Sequence, residues 1–260
     1  MDRIFRVADN GTERYVIERE GTFYHLEGEL FGRYRAGREI GRAEPGALAP
    51  AGLRVLAPVV PSKIVAIGLN YRDHAAETGK PPPAEPMIFI KPSTAVIAPG
   101  DPIRIPPGAG RVDHEAELAV VIGKRATHVP RERALEFVFG FTCANDVTAR
   151  EMQRRGVQYS HCKGYDTFAP LGPCIATGLD GSALDVEGWV NGERRQASNT
   201  RELIFPVEAL VAYISAVMTL LPGDVISTGT PAGIAPLVPG DTVTVKVGGI
   251  GELTNPVVSA

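Results

Sequence analysis

Glu115 and Glu117 stand two residues apart in the stretch Arg111-Val-Asp-His-Glu-Ala-Glu-Leu-Ala-Val-Val-Ile-Gly123. The apolar run from Leu118 to Ile122, closed by Gly123, predicts a strand. Alternation then puts Glu115 and Glu117 on one side with Ala119 and Val121, and Asp113 precedes them. His114, Ala116, Leu118, Val120 and Ile122 take the other side. Both faces are apolar beyond the acids, so the strand is expected to be buried on both. Two carboxylates at its mouth repel and lose hydration, and a divalent cation relieves that conflict. An all-oxygen ligand set favours Mg²⁺ or Mn²⁺ over zinc. Asp146 adds a third carboxylate where another apolar run, Val138–Ala144, ends. Three carboxylates leave about three positions of an octahedral ion for water and substrate. Such an open ion can act as a Lewis acid.

Other groups could serve the same chemistry. His74 and Glu77 lie at i and i+3 in Asn70-Tyr-Arg-Asp-His-Ala-Ala-Glu77, which predicts a short helix with Asn70 as N-cap. A carboxylate behind an imidazole orients it as a general base, although an exposed helical pair would look the same. Lys163, in the glycine-flanked stretch 156–164, could stabilise an oxyanion or be a solvated loop cation. Thr228-Gly-Thr-Pro231 closes a strand with hydroxyls and a glycine that lets backbone approach a ligand.

The elements that must position these groups are mostly strands. Residues 1–60 read as a small β-meander with turns at Gly11 and Gly21, followed by a linker rich in Pro, Gly and Ala at 43–52. Short strands are expected at Lys63–Gly68, Met87–Lys91, 174–177, Asp185–Val190, 225–228 and Asp241–Val247. A long loop is expected up to Gly110. Helices are expected at Pro130–Phe137, Thr148–Arg155 and, most clearly, Val207–Leu220. The segment Gly156–Gly164 reads as flexible. The fold class is a β-rich α+β protein.

Composition narrows the function. The chain of 260 residues is 44% hydrophobic with a net charge of −3, which disfavours a nucleic-acid partner. Cys143, Cys162 and Cys174 form no CxxC pair, which suits a reducing compartment. There is no long apolar N-terminal run, and Val207–Leu221 is too short and holds Glu208, so no membrane association and a cytoplasmic location are expected.

Seven segments, in order, resemble the fumarylacetoacetate hydrolase (FAH) family: Gly68-Leu-Asn-Tyr-Arg-Asp-His74, Asp113-His-Glu-Ala-Glu-Leu118, Asn145-Asp-Val-Thr-Ala-Arg150, Lys163-Gly-Tyr-Asp-Thr167, Val190-Asn-Gly-Glu193, Leu221-Pro-Gly-Asp224 and Thr228-Gly-Thr-Pro231. The resemblance implies an FAH-type mixed β-sandwich roll at 61–260 behind a small N-terminal β domain at 1–60, usually a homodimer. It places Glu115, Glu117 and Asp146 on the ligands of a Mg²⁺ or Mn²⁺ ion. His74 and Glu77 fall on the water-activating pair of a lid segment, and Lys163 on the lysine that polarises a substrate carbonyl. Arg150, Gln153 and Thr230 fall on substrate contacts. The expected activity is hydrolysis of a carbon–carbon bond in acylpyruvate-type 1,3-diketo acids through an enolate. Decarboxylation of oxaloacetate or isomerisation of 2-hydroxyhepta-2,4-diene-1,7-dioate, as in aromatic catabolism, is the alternative on the same site. A non-catalytic binding protein of the same fold is the rival from another class.

Overall fold

The computed structural model describes residues 1–156 and 158–260. The N-terminal alternation of apolar and polar residues folds as an antiparallel meander, β1 (Arg3–Asp9), β2 (Thr12–Arg19), β3 (Thr22–Gly28) and β4 (Tyr34–Arg42). Its first two turns are two-residue hairpin loops, Asn10-Gly11 and Glu20-Gly21, with positive φ at all four residues. That geometry matches the twist of the flanking strands and explains the expected turn at each glycine.

The meander is not a separate sheet. β1 pairs through Arg3 and Ile4 with Ala169–Ala176, and the hydrogen-bonded order continues through Val138–Asn145, Ala116–Ile122, Val225–Ser227 and Ile64–Ile67 to Ile88–Lys91. The Val225–Ser227 and Ile64–Ile67 pair is parallel, so the sheet is mixed. A second sheet runs Glu193–Asn199, Asp185–Val190, Thr242–Val247, Gly251–Ser259 and Ile103–Ile105.

The strand Ala116–Ile122 is buried along its whole length, as its sequence predicts, and its two faces feed two different cores. Ala116, Leu118, Val120 and Ile122 pack with Val186, Val245, Val247 and Leu253 of the second sheet, and with Leu210, Val211 and Ile214. Ala119 and Val121 pack with Val59, Ile64, Leu171 and Ile175. At roughly 1.5–3 kcal/mol for each fully buried large aliphatic side chain, the strand is anchored strongly enough to hold acids at its end. A third core around Ile103, Val112, Val147, Phe168 and Val257 lies beneath a small sheet formed by Val112–His114, Thr148–Ala149 and Ala235–Leu237. The result is a β-rich α+β fold in which two packed sheets carry short helices at their margins.

The helices are α1 (Arg72–Thr78), α2 (Arg150–Arg155), α3 (Tyr159–Lys163) and α4 (Val207–Val217). None is long and apolar enough to cross a membrane; α4 instead buries Leu210, Val211 and Ile214 against the core.

Several local expectations change. Asn70 does not cap α1. The N-cap position is Tyr71, without a side-chain cap, because the Asn70 amide accepts from Phe205 N–H at 2.8 Å and donates to Thr228 C=O at 2.7 Å. The helix expected from Thr148 begins at Arg150, since Thr148 and Ala149 pair with Asp113 and Val112. Residues 131–137 form a 3₁₀ rather than an α-helix. Part of the stretch expected to be flexible is helix α3, tied down by Ser160 Oγ donating to Ile90 C=O at 2.7 Å and by Tyr159 stacking edge-on against Phe89. Val157, in that same stretch, lies outside the described residues. The loop expected up to Gly110 contains Ile103–Ile105, which pairs in parallel with Val257–Ser259.

Candidate active site

The acidic stretch does not run as one strand. It changes sheets at Glu115: Val112–His114 belongs to the small sheet, and Ala116–Ile122 to the large one. Asn145 holds the break, its Oδ1 accepting from Glu115 N–H at 2.9 Å, while Glu115 C=O accepts from Asp146 N–H at 2.9 Å. The two chain segments that carry the acids are therefore stitched together where they present them. Carboxylate oxygens of Glu115, Glu117 and Asp146 lie within 4.8 Å of one another, all buried. Asp113 does not join them; both its oxygens are taken by Arg111 and Arg150.

The environments of the three acids differ. Glu115 accepts from Lys163 Nζ at 2.8 Å and from Arg150 Nη2 at 2.5 Å. Burial alone would raise its pKa, but those two cations hold it well below the usual carboxylate range. Glu117 has no cation of its own. Its Oε2 accepts from Ser227 Oγ and from Gly229 N–H at 2.9 Å, and its Oε1 has no partner among the described residues. Burial, then the negative charges of Asp146 and Glu115, push its pKa up to about 8. Gly229 is required there: its φ is +98°, and a Cβ would lie 2.8 Å from Asn70 Cβ. A buried carboxylate oxygen without a donor, within reach of two further carboxylates, fits a hard divalent cation.

Lys91 was not singled out by sequence, yet it is only 1% exposed and its Nζ pairs with Asp146 Oδ1 at 2.5 Å. Burial lowers its pKa, and Asp146 partly opposes that. Lys163 pairs with Asp146 Oδ2 at 2.5 Å as well as with Glu115, and lies 5.1 Å from the centre of the Phe89 ring. Despite its burial, those carboxylates hold its pKa above the ordinary lysine value. The one sequence signal for Lys91 was a charge closing the apolar run Ile88-Phe-Ile, a pattern that a strand end reaching solvent would share.

Above the acids lies a cavity of about 680 Å³, lined by His74, Glu115, Arg150, Gln153, Lys163 and Thr230 among others. Six of the nine residues singled out for catalysis, substrate or metal thus share one wall system. Glu117 and Asp146 sit behind Glu115, and Glu77 joins from α1 through its Oε2 at 2.9 Å from His74 Nδ1. The other Glu77 oxygen accepts from Gly233 N–H at 3.1 Å, which fixes the dyad to the loop beyond Thr230. Arg150 Nη1 donates to Gln153 Oε1 at 2.9 Å. Thr230 Oγ1 is occupied within the protein, donating to Ala116 C=O and accepting from Gln196 Nε2. A larger depression of about 830 Å³ lies elsewhere, along Arg72, Leu135, Phe141, Arg201 and Glu208. None of the nine residues lines it. All three cysteines are buried and free.

Comparison with known proteins shows the family. The fumarylacetoacetate (FAA) hydrolase C-terminal family model matches residues 63–258. The chain belongs to the fumarylacetoacetate hydrolase family. Within it, the chain is 43% identical over 224 residues to oxaloacetate tautomerase fahd2, mitochondrial, of Xenopus laevis, covering 81% of this chain and 70% of that one. The solved 2-hydroxyhepta-2,4-diene-1,7-dioate isomerase from Mycobacterium marinum is 40% identical, with a TM-score of 0.89 over 100% of this chain and 99% of the other. Maleylpyruvate hydrolase from Sphingobium sp. SYK-6, solved with manganese (II) ion and pyruvate, is 31% identical, with a TM-score of 0.79 over 99% of both chains. This member of the family is an enzyme, and hydrolases, isomerases and an oxaloacetate tautomerase are among its relatives.

Proposed function

We propose that the chain is a divalent-metal-dependent hydrolase that cleaves a carbon–carbon bond in acylpyruvate-type 1,3-diketo acids. The observation that carries this reading is the pairing of the three-carboxylate cluster with the His74–Glu77 dyad in one cavity. Mg²⁺ or Mn²⁺ held by Glu115, Glu117 and Asp146 would supply Lewis-acid withdrawal of electron density from the oxygens of a 2-oxo acid. Glu77 holds His74 through Nδ1, which leaves Nε2 to take a proton from water. The hydroxide attacks the distal carbonyl, the bond to the neighbouring carbon breaks, and a carboxylic acid and a pyruvate enolate result. Lys163 keeps one N–H beyond those spent on Glu115 and Asp146, and it donates that one to the substrate oxygen as charge builds. Arg150, with Gln153 on its guanidinium, binds the 2-oxo acid carboxylate, and Thr230 bounds the pocket beside it. A homodimer is the proposed assembly.

A second reading, decarboxylation or keto–enol isomerisation of oxaloacetate-like or dienedioate substrates, uses the same enolate without water attack. The names of the Xenopus and Mycobacterium marinum relatives favour it. The deciding experiment follows loss of enol absorbance for acetylpyruvate, fumarylpyruvate and oxaloacetate, each with Mg²⁺ and with chelator. Metal-dependent cleavage of an acylpyruvate is expected. Turnover of oxaloacetate alone would replace hydrolase by decarboxylase, and no turnover of any of them would remove the hydrolase reading.

A further inference from the structure

Gln196 is fully buried in the strand Glu193–Asn199 of the second sheet, yet its side chain reaches the acidic strand of the large one. Room for it comes from Gly188 directly across the ladder, where a Cβ would stand 2.6 Å from Gln196 Oε1. Val225–Ser227 pairs with the acidic strand only from Ala119 to Val121. Nearer the acids Gln196 takes over: its Oε1 accepts from Ala116 N–H, between Glu115 and Glu117, at 2.9 Å. Its Nε2 donates to Pro231 C=O at 2.8 Å and to Thr230 Oγ1 at 2.7 Å. A backbone N–H only donates and a backbone carbonyl only accepts, so those two partners fix which end of the amide is which. Thr230 Oγ1 must therefore accept from Gln196, and it spends its one proton on Ala116 C=O at 3.0 Å. A hydroxyl has two lone pairs, and the second is left for the cavity that Thr230 lines.

We infer that Gln196 is a positioning residue that presents Thr230 to the cavity as a hydrogen-bond acceptor, so that the site prefers a ligand with a hydroxyl beside its carboxylate to one with a carbonyl there. This rests on the reading of the cavity as a 2-oxo acid site with Arg150 on the carboxylate. Arg150 is bonded to Glu115 and Thr230 to Ala116. The two cavity groups thus stand over neighbouring residues, which suits a carboxylate and the oxygen on the next carbon. An enol or a 2-hydroxy acid donates its O–H to Thr230, whereas a 2-oxo group brings a second acceptor against it. Thr230 can turn its own proton into the cavity only by taking it from the Ala116 carbonyl, and a buried carbonyl left bare in that way is penalised. This wall therefore discriminates between the tautomers of one substrate.

The test compares pyruvate with the tighter-binding enantiomer of lactate, which differ only at the carbon beside the carboxylate. Binding is measured by calorimetry in the presence of Mn²⁺. The readout is the ratio of the two affinities, which general damage to the cavity floor would leave unchanged. Thr230→Val should shift that ratio against lactate by about fivefold, ~1 kcal/mol, as loss of one neutral hydrogen bond does. Thr230→Ser, which keeps the hydroxyl, should hold the ratio within about twofold of wild type. Gln196→Met frees the Thr230 hydroxyl to turn and should shift the ratio in the same direction as Thr230→Val. A ratio that Thr230→Val leaves at the wild-type value, or that Thr230→Ser shifts as far, overturns the acceptor role. A ratio that Gln196→Met leaves at the wild-type value overturns the positioning role. Both results leave the 2-oxo acid site intact. If neither ligand binds although Mn²⁺ does, the 2-oxo acid reading falls, and this inference with it.

Discussion

Asp146 is the group on which two buried ammoniums depend, but they depend on it unequally. Lys163 also pairs with Glu115, whereas Lys91 has no other carboxylate partner among the described residues. Asp146→Asn keeps the volume and removes the charge, so it leaves Lys91 as a buried, uncompensated cation. Breaking a buried pair from one side in this way costs roughly 3–5 kcal/mol. For a chain of this size that corresponds to a fall in Tm of roughly 6–20 °C. Lys91→Met should cost less, about 1–3 kcal/mol, because Asp146 keeps Lys163 and loses only one donor. The double variant removes both the charge and its dependent, and should recover about half of the Asp146→Asn loss. The assay is denaturant unfolding of all four proteins in excess chelator, so that metal binding does not enter the comparison. An Asp146→Asn protein within about 1 kcal/mol of wild type, or a double variant no more stable than Asp146→Asn alone, would refute the reasoning.

Other perturbations address the chemistry. His74→Ala should reduce acylpyruvate hydrolysis by about 10²–10⁴-fold and decarboxylation of oxaloacetate much less; equal loss in steady-state kinetics would mean that His74 closes the cavity rather than activating water. Because the Glu117 pKa is raised to about 8, the metal-free folded chain carries a proton there that the unfolded chain loses near pH 4.5. Its contribution to metal-free stability is therefore full at low pH and is lost as pH rises through about 8. For the same reason Mn²⁺ binding at pH 7 should release a proton, seen as a buffer-dependent heat in calorimetry, and the release should disappear in Glu117→Gln. Gly229→Ala forces a positive-φ position and a contact with Asn70. It should destabilise the fold by more than about 1 kcal/mol and weaken Mn²⁺ binding; an unchanged melting curve would contradict the role given to that glycine.

The short apolar run from Leu118 to Ile122 made the acidic strand legible, because it is rich in β-branched residues and closed by Gly123, as a strand buried on both faces is. The three acids were legible for a related reason: each stands where such a run begins or ends. What local sequence could not carry was the pairing of distant segments. Asn70 looks like a helix cap until Phe205 and Thr228 arrive to claim its amide. Lys91 looks like a strand end until Asp146 is placed beside it. The segment holding Lys163 is rich in polar residues and glycine, and only its contacts with Phe89 and Ile90 make a helical turn worthwhile. The sheet switch at Glu115 is hidden for the same reason, since Asn145 enforces it from another strand. The seven ordered motifs carry the family, which the match over residues 63–258 bears out, but neither Lys91 nor the sheet switch.

That switch at Glu115 gives the cavity floor an unusual place in the assembly of the molecule. Glu115 is the hinge pin between two sheets, Asp146 is latched to it by backbone, and Glu117 is held by Ser227 and Gly229 from far along the chain. A nascent chain that ends before Ser227 lacks both groups that hold Glu117, so the three acids of the proposed metal site would not yet be fixed together. On the proposed function, metal capture would come late, reporting that segments more than a hundred residues apart have met. A copy truncated before that point would hold the proposed cation poorly, because Glu117 would lack its two donors.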